Sequence, residues 1–328
     1  MKRIFIPLLL LMSAGLSAHN VMTPELLWSL KRVGVQDVSM DGRTVYYSAT
    51  QYDWTTEKST TKKYRLNAAS GKAEEVITTE NKNVFQRDRN GWYSINGNVL
   101  YLSKDKGKTW KGIYEGVEGL DNVKVSPDGE RIAYSKEVLV TKMRGTDIYP
   151  DLPKTTVQIY TDLNYRHWDT WEDGKYSHVF ITSLKDGSTK DLLEGMPYDC
   201  PQKPFGGAED IVWTPDGKGL LYVTKKKAGK EYAKSTNTDI YHYVIATGNT
   251  INLSAGMMGF DTNPSFSPDG QRLAWTSMRR DGYEADKNDI IVMDWNGDGY
   301  KRNITAAWDE TVNGFAWDNS STHIYFNA

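Results

Sequence analysis

Few residues in this 328-residue chain have the types and spacing that chemistry requires. The histidines are His19, His167, His178, His242 and His323, and the one cysteine is Cys200. None of the histidines stands beside a serine or cysteine at the spacing of a nucleophile and its base. No Gly-x-Ser-x-Gly elbow occurs. Asp294-Trp295-Asn296-Gly297-Asp298-Gly299 begins like a calcium loop, but its twelfth position is Thr305 rather than Glu. It falls where a hairpin turn is expected, so neither a metal nor a cofactor is predicted. What remains is acidic. Asp169, Glu172, Asp199 and Glu209 lie in or beside the least regular stretches, among Arg166, His167, Trp168, Trp171 and Tyr198. A carboxylate in a partly desolvated loop can hold a cation. Asp199, between Pro197-Tyr198 and Pro201, sits in a loop stiff enough to aim it. Each acid alone reads more readily as a surface charge than as an anchor, and Glu209 could equally pair with a neighbouring lysine. His167 belongs either to a loop tied down by its own aromatics and ion pairs or to a cavity wall. His242, in Tyr241-His242-Tyr243, reads as a strand residue.

The elements that position these groups come from a repeated phrase. Val125-Ser126-Pro127-Asp128-Gly129 recurs as Trp213-Thr214-Pro215-Asp216-Gly217 and as Phe266-Ser267-Pro268-Asp269-Gly270. Looser copies are Val38-Ser39-Met40-Asp41-Gly42, Tyr93-Ser94-Ile95-Asn96-Gly97 and Trp317-Asp318-Asn319-Ser320. Proline presets φ for a turn and glycine closes it. Alternating apolar residues then follow with the period of a half-buried strand. A second hairpin follows each phrase, as at Ile240 to Leu253 around Gly248. Two hairpins per unit make a four-stranded blade, and repetition of blades predicts an all-β β-propeller. About six blades are expected, the last with one hairpin only, so the ring is expected to be incomplete and the chain to be the N-terminal part of something longer.

The repeat breaks between about 136 and 178, an insertion of the kind that maps to loops on one, often functional, face. Before residue 19, Lys2-Arg3, the apolar run Ile4 to Met12 and the small residues up to Ala18 read as a secretory signal, too short to span a bilayer. Residues 19–32 are expected to hold a short helix begun by Thr23 and Pro24, with the propeller over 33–328. A periplasmic or secreted location follows. Removing Lys2 and Arg3 takes the formal charge from −2 to −4. No basic stripe points to nucleic acid, and Lys225-Lys226-Lys227 reads as a solvated turn.

Several segments resemble the bacterial dipeptidyl-peptidase 5 and acylaminoacyl-peptidase group of the prolyl oligopeptidase (S9) family. They are Asp147 to Leu152, Tyr165-Arg166-His167-Trp168-Asp169-Thr170-Trp171-Glu172-Asp173-Gly174, Glu194 to Pro201, Gly206 to Asp210, Thr236 to Tyr241 and Met257-Met258-Gly259-Phe260-Asp261-Thr262. The opening Met22 to Leu27 matches as well. The resemblance covers nearly all of the mature chain and implies an N-terminal propeller over a C-terminal α/β-hydrolase domain that carries a Ser-Asp-His triad. That domain is absent from this sequence, so no catalytic residue is assigned. The resemblance then implies oligopeptide substrates, gated by the propeller and held by their free amino end. Asp199 and Glu172 are the preferred anchors, with Asp169 and Glu209 behind them, and Trp168, Trp171 and Tyr198 could wall the site. A membrane anchor is not expected, and a homodimer is left open. The alternative is a stand-alone periplasmic propeller, similar to TolB-type scaffolds, that binds proteins.

Overall fold

The computed structural model describes residues 22–39, 42–76 and 84–328. The expected signal segment and His19 lie outside these residues. Two compact units divide at Asn81.

The first unit opens with a helix, Pro24–Ser29. Thr23 Oγ1 caps it by accepting the Leu26 N–H at 3.1 Å, and Pro24 fills the first position, where no N–H is needed. The helix stops three residues before the expected Arg32: Leu30 is already extended, and a strand starts at Arg32 with β-branched Val33 and Val35. Strands Arg32–Val38, Thr44–Asp53, Lys58–Asn67 and Ala73–Glu75 then form one antiparallel sheet in chain order.

Among the described residues the second unit holds four four-stranded sheets and two two-stranded ones. Sheet two is Val84–Asp88, Gly91–Asn96, Val99–Ser103 and Lys111–Glu115. Sheet three is Asp121–Val125, Arg131–Leu139, Lys175–Ser183 and Thr189–Asp191. Sheet four is Ile211–Trp213, Gly219–Thr224, Asp239–Val244 and Asn249–Asn252. Sheet five is Asp261–Phe266, Arg272–Ser277, Asp289–Asp294 and Lys301–Asn303. Gly314–Trp317 pairs with Ile324–Asn327. These antiparallel sheets are the blades of a β-propeller, as the repeat predicted.

The phrase works by the same bonds each time. In sheet four Thr214 Oγ1 donates to Asp216 Oδ1 at 2.7 Å, and Asp216 Oδ1 also accepts the Lys218 N–H at 3.0 Å. Ser267, Asp269 and the Gln271 N–H repeat this at 2.6 and 3.0 Å, and Ser126, Asp128 and the Glu130 N–H do so in sheet three. Gly217 takes φ +71, the left-handed conformation that closes the turn. The copy at Tyr93 to Tyr101 is a different turn. Its Gly97 closes the hairpin between the second and third strands of sheet two, whereas the Pro-Asp-Gly turns join first to second. A glycine turn between alternating apolar residues looks alike in either place.

Neighbouring turns in this unit touch. Asn90 Nδ2 donates to Pro127 O at 2.9 Å, and Asp269 N–H donates to Ser321 Oγ at 3.0 Å. A Cβ on Gly217 would meet Asp128 Oδ2 at 2.9 Å, and one on Gly270 would meet Pro215 Cβ at 2.9 Å. Indoles also staple first strands together: Trp213 Nε1 donates to Lys124 O at 3.1 Å and Trp317 Nε1 to Ser265 O at 3.2 Å. The apolar cores lie between sheets. Val179, Leu193, Ile211 and Leu220 pack sheets three and four, and Val223, Ile240, Leu273 and Trp275 pack four and five. No helix among the described residues is long and apolar enough to cross a membrane.

Candidate functional site

The break in the repeat is a segment of residues 140–174 between two strands of sheet three that stay paired from Arg131↔Ser183 to Leu139↔Lys175. Its neck closes where Gly174 O accepts the Val140 and Thr141 N–H groups, each at 3.0 Å. Gly174 has φ +82, and a Cβ there would strike Thr141 O, so only glycine fits. Arg144 pairs with Asp173 at 3.1 Å, which ties the start of the segment to its end. A short hairpin, Arg166–His167 with Thr170–Trp171, turns through Trp168 at φ +50. Tyr160, Tyr165 and Trp171 cluster with ring centroids 5.8 to 6.2 Å apart, and the Arg166 guanidinium lies 5.4 Å over Trp171.

Two cavities adjoin this segment. The smaller, about 260 Å³, is lined by Glu172, Asp199, Tyr176 and Tyr232, with Asp162 and Lys227. Asp199 comes from the loop after sheet three. Its Oδ1 accepts the Ser177 N–H at 2.8 Å and pairs with Lys203 Nζ at 3.1 Å, and its side chain is only 7% exposed. Its carbonyl accepts Thr224 Oγ1 at 2.7 Å. The same loop is held from beneath by Asp210, which is fully buried. Asp210 Oδ2 accepts the Gln202 N–H at 3.0 Å and Oδ1 accepts Thr262 Oγ1 at 3.2 Å.

Burial raises the Glu172 carboxyl above its ordinary pKa; Lys203 opposes the rise, while Asp199 and Asp173 add to it. Burial raises Asp199 in the same way against Lys203 and the Ser177 N–H. Lys203 is raised: burial works against its charge, but Asp199 and Glu172 outweigh it. Burial also pushes Asp210 up to about 7. The Glu172 carboxylate makes no direct hydrogen bond or ion pair among the described residues. It is therefore the acid with capacity to spare.

The larger cavity, about 570 Å³, includes Arg166, His167, Trp168, Lys203, Phe205 and Lys225 in its lining. Asn164 and Tyr232 line both cavities. Trp168 stands edge-on to Phe205 at 5.9 Å, and the two are 68% and 71% exposed. A third cavity, about 640 Å³, is mainly apolar and lies by the first strands of sheets two, three and four, with Phe85, Leu120, Val123 and Trp213.

Glu172 and Asp199 thus meet in one cavity, and Arg166, His167 and Trp168 meet in the next. The other candidates stand apart. Asp169 is exposed at the hairpin turn, where its Oδ1 accepts a 3.4 Å bond from the Thr170 hydroxyl. Trp171 stacks within the insertion's aromatic cluster, and Tyr198 is half-buried near Tyr241; neither lines either cavity. Glu209 is exposed beside Lys124. Lys203, Tyr176 and Tyr232 were not foreseen. Lys203 stands four residues after Asp199 in the proline-bounded loop, a signal that could have paired them.

The lysine triplet is not a solvated turn. It starts a connection that folds back through a helix, Gly229–Lys234. Lys225 Nζ donates to Ser235 O at 2.9 Å and Tyr232 O at 3.2 Å, and burial lowers its pKa. Lys226 lies 3.9 Å over the Tyr241 ring. The calcium-like stretch does form the turn between Asp289–Asp294 and Lys301–Asn303. No group of three metal-ligating side chains occurs among the described residues.

No family model matches the chain. Dipeptidyl-peptidase 5 of Porphyromonas gingivalis is 37% identical over 330 residues, which are 96% of this chain and 47% of that protein. Dipeptidyl-peptidase 5 of Porphyromonas endodontalis is 35% identical over 84% of this chain and 41% of its own. That of Aspergillus fumigatus is 26% identical over 93% and 47%. The chain therefore spans about half the length of the curated relatives it matches. Among solved structures, an acylaminoacyl peptidase from Pyrococcus horikoshii superposes on 90% of the chain and 43% of its own, with TM-score 0.53 and 14% identity, a likeness of fold.

Proposed function

Because this chain belongs with the propeller portion of the dipeptidyl-peptidase 5 group of the prolyl oligopeptidase (S9) family, we propose that it gates oligopeptides into an exported serine exopeptidase and holds their free amino end. Residues 33–328 are the propeller in this reading, with signal and helix before them. The nucleophile belongs to an α/β-hydrolase domain outside this sequence, in which no Gly-x-Ser-x-Gly occurs.

One observation carries the proposal. A half-buried carboxylate, Glu172, lacks a hydrogen-bond partner among the described residues and stands in a cavity with the nearly buried Asp199. A desolvated anion without a partner is costly, and an ammonium relieves that cost through charge-assisted bonds. Tyr176 and Tyr232 supply walls that keep water out, and the Trp168–Phe205 rim offers an apolar surface for side chains.

The test is calorimetric titration of the chain with alanyl-alanine amide and with its N-acetyl analogue at neutral pH. The free amine is expected to bind about ten- to a hundred-fold more tightly, the worth of one charge-assisted bond, and Glu172→Gln is expected to abolish the difference. Equal binding of the two probes to the unaltered chain would overturn the proposal.

A further inference from the structure

We propose that Lys203 is a resident counter-cation that sets the charge this site accepts: it occupies Asp199 and leaves Glu172 as the half-buried carboxylate open to a ligand, so the site takes a single ammonium and disfavours a second positive charge beside it. The inference rests on the amino-end reading above and divides the work between the two acids that the reading treats together.

The geometry assigns the division. Asp199 Oδ1 is engaged twice, by Lys203 Nζ at 3.1 Å and the Ser177 N–H at 2.8 Å, with 7% of the side chain exposed. Glu172 makes no bond through its carboxylate among the described residues, although both acids line the smaller cavity. Lys203 lines the larger cavity and is 47% exposed, so its ammonium stands at the partition between the two. Its pull reaches both acids.

The charges close on one. Glu172 and Asp199 bring two negative charges and Lys203 returns one. Asp162, Lys142 and Lys227 also line the cavity, and among the described residues none of the three is ion-paired with Glu172 or Asp199. Asp173, the next acid beside Glu172, is paired with Arg144 at 3.1 Å and lies 3.6 Å from Lys175. His178, near Asp199, is bonded to Asp191 at 2.8 Å, and Glu137, near Lys203, lies 3.8 Å from Lys175. Tyr160, Tyr176 and Tyr232 face the same acids with raised pKa values and remain neutral. Within the trio of Glu172, Asp199 and Lys203 a net charge of −1 is left for the ligand, and one ammonium at Glu172 neutralises it.

Lys203 is not needed to hold the loop. The Ser177 N–H and Thr224 hydroxyl fix Asp199, and Asp210 fixes Gln202, all without the ammonium. Removing the charge should therefore alter selectivity while the fold stands.

The experiment titrates the chain with alanyl-alanine amide, which carries one ammonium, and 2,4-diaminobutyryl-alanine amide, which carries two close together. The unaltered chain, Lys203→Gln, Lys203→Met and Lys203→Arg are compared, with thermal melts as the check on folding. Both neutral variants are expected to shift the affinity ratio at least ten-fold toward the two-ammonium probe, and Lys203→Arg to leave it near the original. The acid limit of one-ammonium binding should also move to higher pH in the neutral variants. Glu172 must be ionised to bind, so binding is lost as pH falls through its pKa, and Lys203 is the cation that holds that pKa down. A uniform weakening of both probes with the acid limit unmoved would make Lys203 a structural tether, and an unchanged ratio would make it a bystander; either overturns the proposal. If the unaltered chain does not distinguish free from acetylated amines, the amino-end reading falls first and this inference with it.

Discussion

Asp261→Asn isolates a pH dependence opposite in sign to that of an ordinary surface acid. Asp261 is fully buried at the start of sheet five, and its Oδ1 accepts the Trp275 indole N–H at 3.0 Å. Its Oδ2 makes no direct hydrogen bond, with the Ser254 and Ser277 hydroxyls close by. Burial lifts its pKa from 3.8 to about 7, and Asp239 adds to the rise, while Ser277, Trp275 and Ser254 oppose it. The folded chain therefore keeps a proton that the unfolded chain has lost. The resulting stability is complete below the unfolded pKa and is lost as pH rises through the folded one. At about 1.4 kcal/mol per pH unit, unfolding should become easier by about 3 kcal/mol between about pH 5 and pH 8 from this group alone. Asp210, lifted to the same value by burial, contributes a loss of similar size. Asparagine keeps the acceptor for Trp275 and places an amide donor where the hydroxyls can receive it. The assay is urea unfolding at four pH values across that range. The variant should gain about 3 kcal/mol on the parent between pH 5 and pH 8, and show about half the parent's slope. Equal slopes for the two proteins, or a parent that gains stability between pH 5 and pH 8, would refute the reasoning.

Trp213→Phe removes the indole donor to Lys124 O and should cost about 1 kcal/mol, read as a lower thermal midpoint. Gly217→Ala forces a side chain to φ +71 and to 2.9 Å from Asp128 Oδ2, so it should cost more than the roughly 1 kcal/mol of backbone strain; Gly71→Ala, at φ +67 with nothing within 4 Å, should cost that strain alone, and the urea midpoints compare them. The exported product should begin at His19, as intact mass would show, and a product that retains Met1 would contradict the signal segment.

The architecture was legible because the Pro-Asp-Gly phrase is local: the Thr214 or Ser267 hydroxyl, the aspartate and the glycine bond within five residues, so the sequence displays the whole device. The insertion was legible as the place where that device is interrupted. Partner identity was not, since Asp199 meets Ser177 from 22 residues away and Asp210 meets Thr262 from 52. Tyr232 could not be anticipated for the same reason. It reaches the site on a helix inside a connection that, from its three lysines, resembled solvated surface. Trp171 and Tyr198 carried the right chemistry, but aromatic residues in an insertion serve its own packing as readily as a ligand, and only the stacking of Trp171 on Tyr160 and Tyr165 separates the two roles.

The contacts between successive turns carry a mechanical consequence for the second unit. From Asn90 on Pro127, through Asp128 against Gly217 and Pro215 against Gly270, to Asp269 on Ser321, each turn leans on the next. Such a row behaves as a one-dimensional chain of links, whose strength is the sum of its joints and whose opening begins at the weakest one. The joint between sheets three and four is closed on its inner side by Trp213 and Lys124. Glu172 descends from one side of that joint, and Asp199 is bonded across it to Thr224. The two acids thus sit at one joint of the row, and opening of that joint would part Asp199 from Thr224.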